Sequence, residues 1–175
     1  ETGAVLRRLL EQLPIGLRLV ETAGASGAYV HDRRGGERRP VAQSAAMPPS
    51  RHEVDDLFSV ACAAALDAGV LALFGPSPGE ALPLEIYSSL VADVRANGTP
   101  VVVDLSPPRL DSALEGGPEL VKINDWELAG FVSGPVDTEA RMRAATEKLI
   151  EGCAQAAIVT RAGEPALVVR GDEAW

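Results

Sequence analysis

The stretch Val121-Lys122-Ile123-Asn124-Asp125-Trp126-Glu127-Leu128 reads as the end of a strand running into a helix. Asn124 stands where the helix needs its N-cap, and Glu127 stands at the third position, where its carboxylate closes a capping box. The same residues also suit a binding site. Lys122 is one of two lysines in a chain with fourteen arginines. A compact, movable ammonium takes phosphate as a point charge, whereas Arg offers a planar fork. Asn124 and Glu127 supply oxygen ligands, which a hard cation such as Mg²⁺ prefers. On these eight residues alone, the cap and the site both stand.

Outward from this junction the chain alternates. Leu120–Ile123 is a short strand, Asn124 to Phe131 and Asp137 to Glu151 are helices, and Ala156–Thr160 and Ala166–Arg170 are strands. On the other side, His52 to Leu66 is helical and Gly69–Gly75 is an apolar run of the buried-strand type. Pro83 to Ala96 is an amphipathic helix opened by a proline and stopped by Asn97-Gly98-Thr99-Pro100; Val101-Val102-Val103-Asp104 is a buried strand ending in a carboxylate. Strands alternating with helices of this length mean βαβ units and a parallel sheet. Earlier, Leu17–Glu21 and Gly27–His31 read as short strands. The Gly35-Gly36 pair that follows marks a hairpin turn, which forms a separate flap. The chain begins inside a helical pattern and ends as abruptly at Trp175, so it reads as a piece of a larger protein.

Composition narrows the function. The net charge of −9 argues against nucleic acid as the main partner. The charge is uneven, with seven basic and five acidic residues in 1–50 against nine basic and twenty acidic in 51–175. Cys62 and Cys153 are too few for a disulfide framework or a zinc site, and their apolar surroundings suggest buried, inert thiols. No stretch is long and apolar enough to span a bilayer and no signal peptide is present, so a reducing cytoplasm is expected. His31 and His52 lack metal-ligand spacing and read as structural. Arg33, Arg34, Arg38 and Arg39 read as a solvated hairpin tip, while Trp126 and Phe74 read as packing residues.

In open α/β sheets, ligands bind beyond the carboxyl ends of the strands. Four polar clusters follow strands here: Gly75-Pro76-Ser77-Pro78-Gly79, Asp104-Leu105-Ser106-Pro107-Pro108, Lys122-Ile123-Asn124, and Thr160-Arg161-Ala162-Gly163-Glu164. Parallel strands would gather all four on one rim. Asp104 and Glu127 could then hold a hydrated Mg²⁺, and Lys122 could reach a phosphate.

The order of these motifs resembles the PfkB, ribokinase-like carbohydrate kinases, most of all the branch of 1-phosphofructokinase and tagatose-6-phosphate kinase, through nearly the whole chain. Gly75 to Gly79, with Tyr87 at the expected distance, resembles the Gly-Ser-Leu-Pro-Pro-Gly segment facing the sugar. Val102-Val103-Asp104-Leu105-Ser106 resembles the strand ending in Asp-Thr-Ser-Gly. Leu120 to Leu128 resembles Leu-Ile-Lys-Pro-Asn-x-x-Glu-Leu, and Ile158 to Gly163 resembles the segment that begins the nucleotide pocket. The resemblance implies one ribokinase-like α/β domain over residues 1–175, incomplete at both ends, with a mostly parallel sheet flanked by helices. It assigns residues 17–45 to a small β-hairpin lid that covers the sugar and forms a homodimer.

It also implies an ATP- and Mg²⁺-dependent kinase for a sugar or a sugar phosphate such as fructose 1-phosphate, with no nucleic acid or membrane partner. Asp104, Asn124 and Glu127 would organise Mg²⁺ and its waters. Lys122, Asn124, Glu127, Thr160 and Gly163 would bind the nucleotide, and Gly75, Ser77 and Gly79 the sugar. The catalytic Gly-Ala-Gly-Asp element has no counterpart in these residues, so this chain alone carries no catalytic base and is expected to be inactive. The chain departs from the family pattern in three further places. No Arg stands near Ala25-Ser26-Gly27-Ala28 for a substrate phosphate, Ile123 replaces a Pro, and Pro76 replaces a sugar-contacting Ser. These departures leave open a non-catalytic, ligand-binding or regulatory protein on the same fold. An unrelated Rossmann-like protein is disfavoured, because no Gly-x-Gly-x-x-Gly follows a strand.

Overall fold

The computed structural model describes residues 2–36, 39–75 and 82–175. The chain forms two compact units.

The first unit comprises residues 1–60 and 76–82. It opens with α1 (Thr2–Leu10), continues through β1 (Ala28–Asp32) and β2 (Arg39–Ser44), and takes in most of α2 (Arg51–Leu66). β1 and β2 pair antiparallel, Tyr29 opposite Gln43, with a register shift between Val30 and His31. The turn closes through Gly36 N–H donating to Arg33 at 3.0 Å. Gly36 has φ +85°, which glycine adopts without steric cost. Arg34 folds back on Asp32, with Nη2 2.7 Å from Oδ2, so the tip is internally paired. That guanidinium, followed by the Arg34 amide, holds the Asp32 carboxyl below its usual range. Leu17–Glu21 is not a strand, contrary to its alternation. No neighbouring strand offers it a ladder among the described residues, and Glu21 instead meets Arg7 of α1 at 2.9 Å.

The second unit comprises residues 61–75 and 83–175. Its elements are the end of α2, β3 (Leu71–Phe74), α3 (Glu85–Ala96), β4 (Val101–Asp104), α4 (Arg109–Glu115), β5 (Leu120–Asn124), α5 (Asp125–Val132), α6 (Glu139–Ile150), β6 (Ala156–Arg161), β7 (Glu164–Arg170) and β8 (Glu173–Ala174). The six strands lie side by side in sequence order. β3 to β6 are parallel, and β7 and β8 are antiparallel additions. The reversal from β6 to β7 is a hairpin at Ala162-Gly163, with Ala162 at φ +40°. The helices α3 and α4 pack on β4, while α5 and α6 pack on β5, β6 and β7.

Alternation along the strands sorts the side chains between the two faces of the sheet. Val101 and Val103, Val121 and Ile123, Ala157 and Val159, and Leu167 and Val169 are buried and lie in register on one face. Val102, Asp104, Leu120, Lys122 and Ile158 project from the other face and are half-buried. β3 is an edge strand, and Phe74 at its end is 72% exposed rather than core. It shares register, and therefore a face, with Asp104. Two buried threonines of this unit are hydrogen-bonded to main-chain carbonyls. Thr146 Oγ1 donates to the Met142 carbonyl at 2.7 Å, and Thr99 Oγ1 to the Ala65 carbonyl at 3.2 Å. Cys62 and Cys153 are half-buried free thiols, and burial, with a smaller effect from Asp93, pushes Cys62 up.

Candidate active site at the carboxyl rim of the sheet

Three valines drive β4 into an extended conformation, because β-branched side chains pack well on a pleated surface. The strand delivers Asp104 to its carboxyl end, and Pro107-Pro108 close the way to further pairing. β5 does the same for Lys122 and Asn124. The parallel register of β4 and β5 sets Val103 beside Val121, so the following residues, Asp104 and Lys122, are neighbours. Lys122 Nζ lies 3.2 Å from Asp104 Oδ1 and 3.1 Å from Oδ2, engaging both carboxylate oxygens.

Asn124 caps α5. Its side chain accepts the Glu127 N–H at 2.8 Å, and Glu127 Oε2 accepts the Asn124 N–H at 3.2 Å, a complete capping box. The other Glu127 oxygen, Oε1, accepts from Ser106 Oγ at 2.8 Å. Ser106 thus ties the loop after β4 to the helix after β5. The sequence places Ser106 in the cluster after β4 without a site role of its own, because its contact with Glu127 depends on the sheet register. On the far side, Asn124 is in register with Thr160, and Thr160 Oγ1 reaches the Ile123 carbonyl at 3.5 Å. On the near side, Gly75 N–H donates to the Asp104 carbonyl at 2.8 Å.

The strand ends therefore bring Gly75, Asp104, Lys122, Asn124, Glu127 and Thr160 to one rim. Gly163 lies just beyond it, at the tip of the β6–β7 hairpin. Ser77 and Gly79, with Pro76 and Arg38, fall outside the described residues. Trp126, read from the sequence as packing, is 72% exposed instead. It occupies the second position of α5, outside the capping interactions of Asn124 and Glu127. Ile123, where the family pattern has Pro, is fully buried and pairs with Val159.

The donor set is oxygen-rich and carries two carboxylates. Among the described residues, no three His, Cys, Asp or Glu side chains converge to hold a metal ion. Two carboxylates and an amide oxygen are donors of the kind that suits an ion such as Mg²⁺, which keeps several waters and takes one or two carboxylates plus phosphate oxygens.

A family model described as pfkB family carbohydrate kinase matches residues 1–175. No curated protein sequence matches the chain. Among solved structures, the tetrameric inhibited form of phosphofructokinase-2 from Escherichia coli superposes with a TM-score of 0.79 at 22% identity, over 99% of this chain and 58% of that one. A possible 1-phosphofructokinase from Thermotoga maritima gives 0.65 at 18% identity, over 85% of this chain and 47% of that one. Arabidopsis thaliana ribokinase complexed with ribose and ATP gives 0.55 at 15% identity, over 79% of this chain and 43% of that one. These likenesses are of fold: a ribokinase-like α/β arrangement with a mostly parallel sheet, flanking helices and a separate antiparallel hairpin. The chain spans 58% of the length of the phosphofructokinase-2 structure it matches.

Proposed function

The chain belongs to the pfkB family of carbohydrate kinases, and on that premise we propose that the protein carrying it transfers the γ-phosphoryl group of ATP, with Mg²⁺, to a hydroxyl of a sugar or sugar phosphate. The observation that carries this reading is the meeting of Asp104, Lys122, Asn124, Glu127 and Ser106 at one rim. Phosphoryl transfer asks a protein mainly for positioning and for cations against developing charge. Lys122 supplies such a cation on a flexible stem. Asp104 and Glu127, with Asn124, are the residues that would hold Mg²⁺ and its waters, and that ion would neutralise phosphate charge when bound. Thr160 and Gly163 would border the nucleotide, and Gly75 with Ser77 and Gly79 would face the sugar. The proton acceptor for the sugar hydroxyl is proposed to lie in the part of the protein beyond these residues.

The proposal extends to assembly. The exposed faces of the β1–β2 hairpin carry Tyr29, Val30 and Val41, each more than half exposed. Such apolar side chains on a two-stranded sheet suit a second copy of the same hairpin, making a homodimer. No described helix is long and apolar enough to cross a membrane.

The test is a coupled ADP-release assay on the full-length protein with fructose 1-phosphate, fructose 6-phosphate, tagatose 6-phosphate and unphosphorylated ketoses. Turnover with at least one is expected. Turnover with none, alongside measurable ligand binding, would replace the kinase by a non-catalytic binding protein of the same fold.

A further inference from the structure

Lys122 and Asp104 neutralise each other. The ammonium sits almost equally far from both carboxylate oxygens, at 3.2 and 3.1 Å. Register places Phe74 beside Asp104, and Ile158 beside Lys122. The pair therefore lies in a cross-strand row with apolar flanks, and its side chains are only 33% and 35% exposed. Partial burial leaves the pair less screened than one in open solvent. Glu127, the nearby carboxylate, is engaged elsewhere by Ser106 Oγ and the Asn124 N–H. The remaining lysine, Lys148, belongs to α6.

This arrangement has a consequence for ligands. A divalent cation approaching Asp104 meets an ammonium about one hydrogen bond away. A polyphosphate approaching Lys122 meets a carboxylate at the same distance. Each ligand alone faces a like charge and must break the pair without replacing it. The two together supply a new partner for each member.

We propose that the Asp104–Lys122 pair is a charge lock that enforces joint binding of metal and nucleotide. Phosphate oxygens would take Lys122, and the released Asp104 would be free to hold the metal ion or its waters together with Glu127. The inference rests on the kinase reading of this site and adds to it a coupling between the two ligands that the pair itself creates.

The experiment uses the full-length protein, with Mn²⁺ as a paramagnetic substitute for Mg²⁺ and the non-hydrolysable β,γ-methylene analogue of ATP. Mn²⁺ binding is followed by electron paramagnetic resonance, and analogue binding by calorimetry with chelator present. The wild type is expected to bind each ligand weakly alone, with each tightening the other by at least about 10-fold, an ordinary size for coupling between sites. K122M leaves Asp104 without its ammonium, so Mn²⁺ alone should bind about 10-fold more tightly than to the wild type. D104N removes the competing carboxylate, so the metal-free analogue should bind more tightly by a similar factor. K122R retains the charge and should retain the weak lone-metal binding, which also guards against a poorly folded K122M. Nucleotide binding with lone-ligand affinities unchanged in K122M and D104N would overturn the lock and leave the kinase reading standing. A wild type that binds no nucleotide under any condition would remove both.

Discussion

Ser106 and Glu127, twenty-one residues apart in sequence, join at 2.8 Å across the rim, hydroxyl to carboxylate. The contact fixes the loop after β4 against the first turn of α5. It also fixes which Glu127 oxygen serves the helix and which faces Asp104's loop. S106A should cost about 1 kcal/mol or less in stability, since the group lies near solvent and one hydrogen bond is lost. On the proposed function it should weaken metal–nucleotide binding several-fold by freeing Glu127. Urea unfolding and nucleotide titration on the same variant separate these effects. Unchanged nucleotide affinity would confine Ser106 to folding.

Asn124 caps α5 and is also proposed as a site ligand, and two substitutions divide those roles. Asn124→Ala should lose about 1 kcal/mol of stability by removing the cap. Asn124→Asp retains a good cap and should keep stability near wild type, while adding a negative charge to the rim. If the residue serves only the helix, N124D should match wild type in metal and nucleotide binding as well. If it serves the site, N124D should shift both.

Glu119 anchors the entry to β5. Its carboxylate accepts Arg95 Nε at 2.6 Å and the Val101 N–H at 2.7 Å. Burial by itself pushes this carboxyl up, but the hydrogen bonds from Arg95 and Val101, with the Arg95 charge, outweigh it and leave the group below its usual range. A carboxylate whose folded value is depressed stabilises the fold above its unfolded value, near 4.3, and loses that contribution as pH falls through the folded value. E119Q should therefore cost about 1–2 kcal/mol at pH 7, and the gap from wild type should narrow below about pH 4. Denaturant midpoints at the two pH values check this. A gap independent of pH would mean the loss comes from packing.

Gly116 closes α4 against α3. A Cβ there would come within 2.6 Å of the Ser88 carbonyl and 2.7 Å of Val91 Cβ. Its φ is −76°, so the requirement for glycine is one of space and not of backbone freedom. G116A should destabilise by about 1–3 kcal/mol through overpacking, read as a lower melting temperature. A melting temperature equal to wild type would show that the helices shift apart at little cost.

Val30→Asp with Val41→Asp places charge on both strands of the β1–β2 sheet, where the residues are 57% and 66% exposed. Monomer stability should change little, because neither side chain is buried within the chain. Light scattering on the full-length protein should show the dimer lost. A dimer that survives the double change would place the interface elsewhere.

Much of this architecture was legible because strong local signals agreed. Val101-Val102-Val103 could hardly be other than a strand, and Asn124 with Glu127 three positions on marked the start of α5. The gathering of Asp104, Lys122 and Asn124 followed once the strands were parallel. Other features rest on contacts that no local pattern carries. α4 is seven residues long, too short for periodicity to declare itself, and it follows two prolines. The apolar run ending in Phe74 looks buried, but its strand lies at the sheet edge. Trp126 is large and apolar, yet the helix turns it outward. The reversal into β7 uses Ala162 at φ +40°, where a glycine would have been the recognisable signal. The Ser106–Glu127 contact joins segments whose proximity only the sheet register decides.

The two-residue rhythm of the strands divides labour within β4 and β5. Val103, Val121 and Ile123 face inward, and Asp104 and Lys122, their immediate neighbours in the chain, face the other way. A change of charge or length at the outward positions falls outside the buried row of Val103, Val121 and Ile123. Chemistry at this edge can therefore vary with the methyl layer behind it kept, at a cost in stability set by the half-buried ion pair that a change breaks.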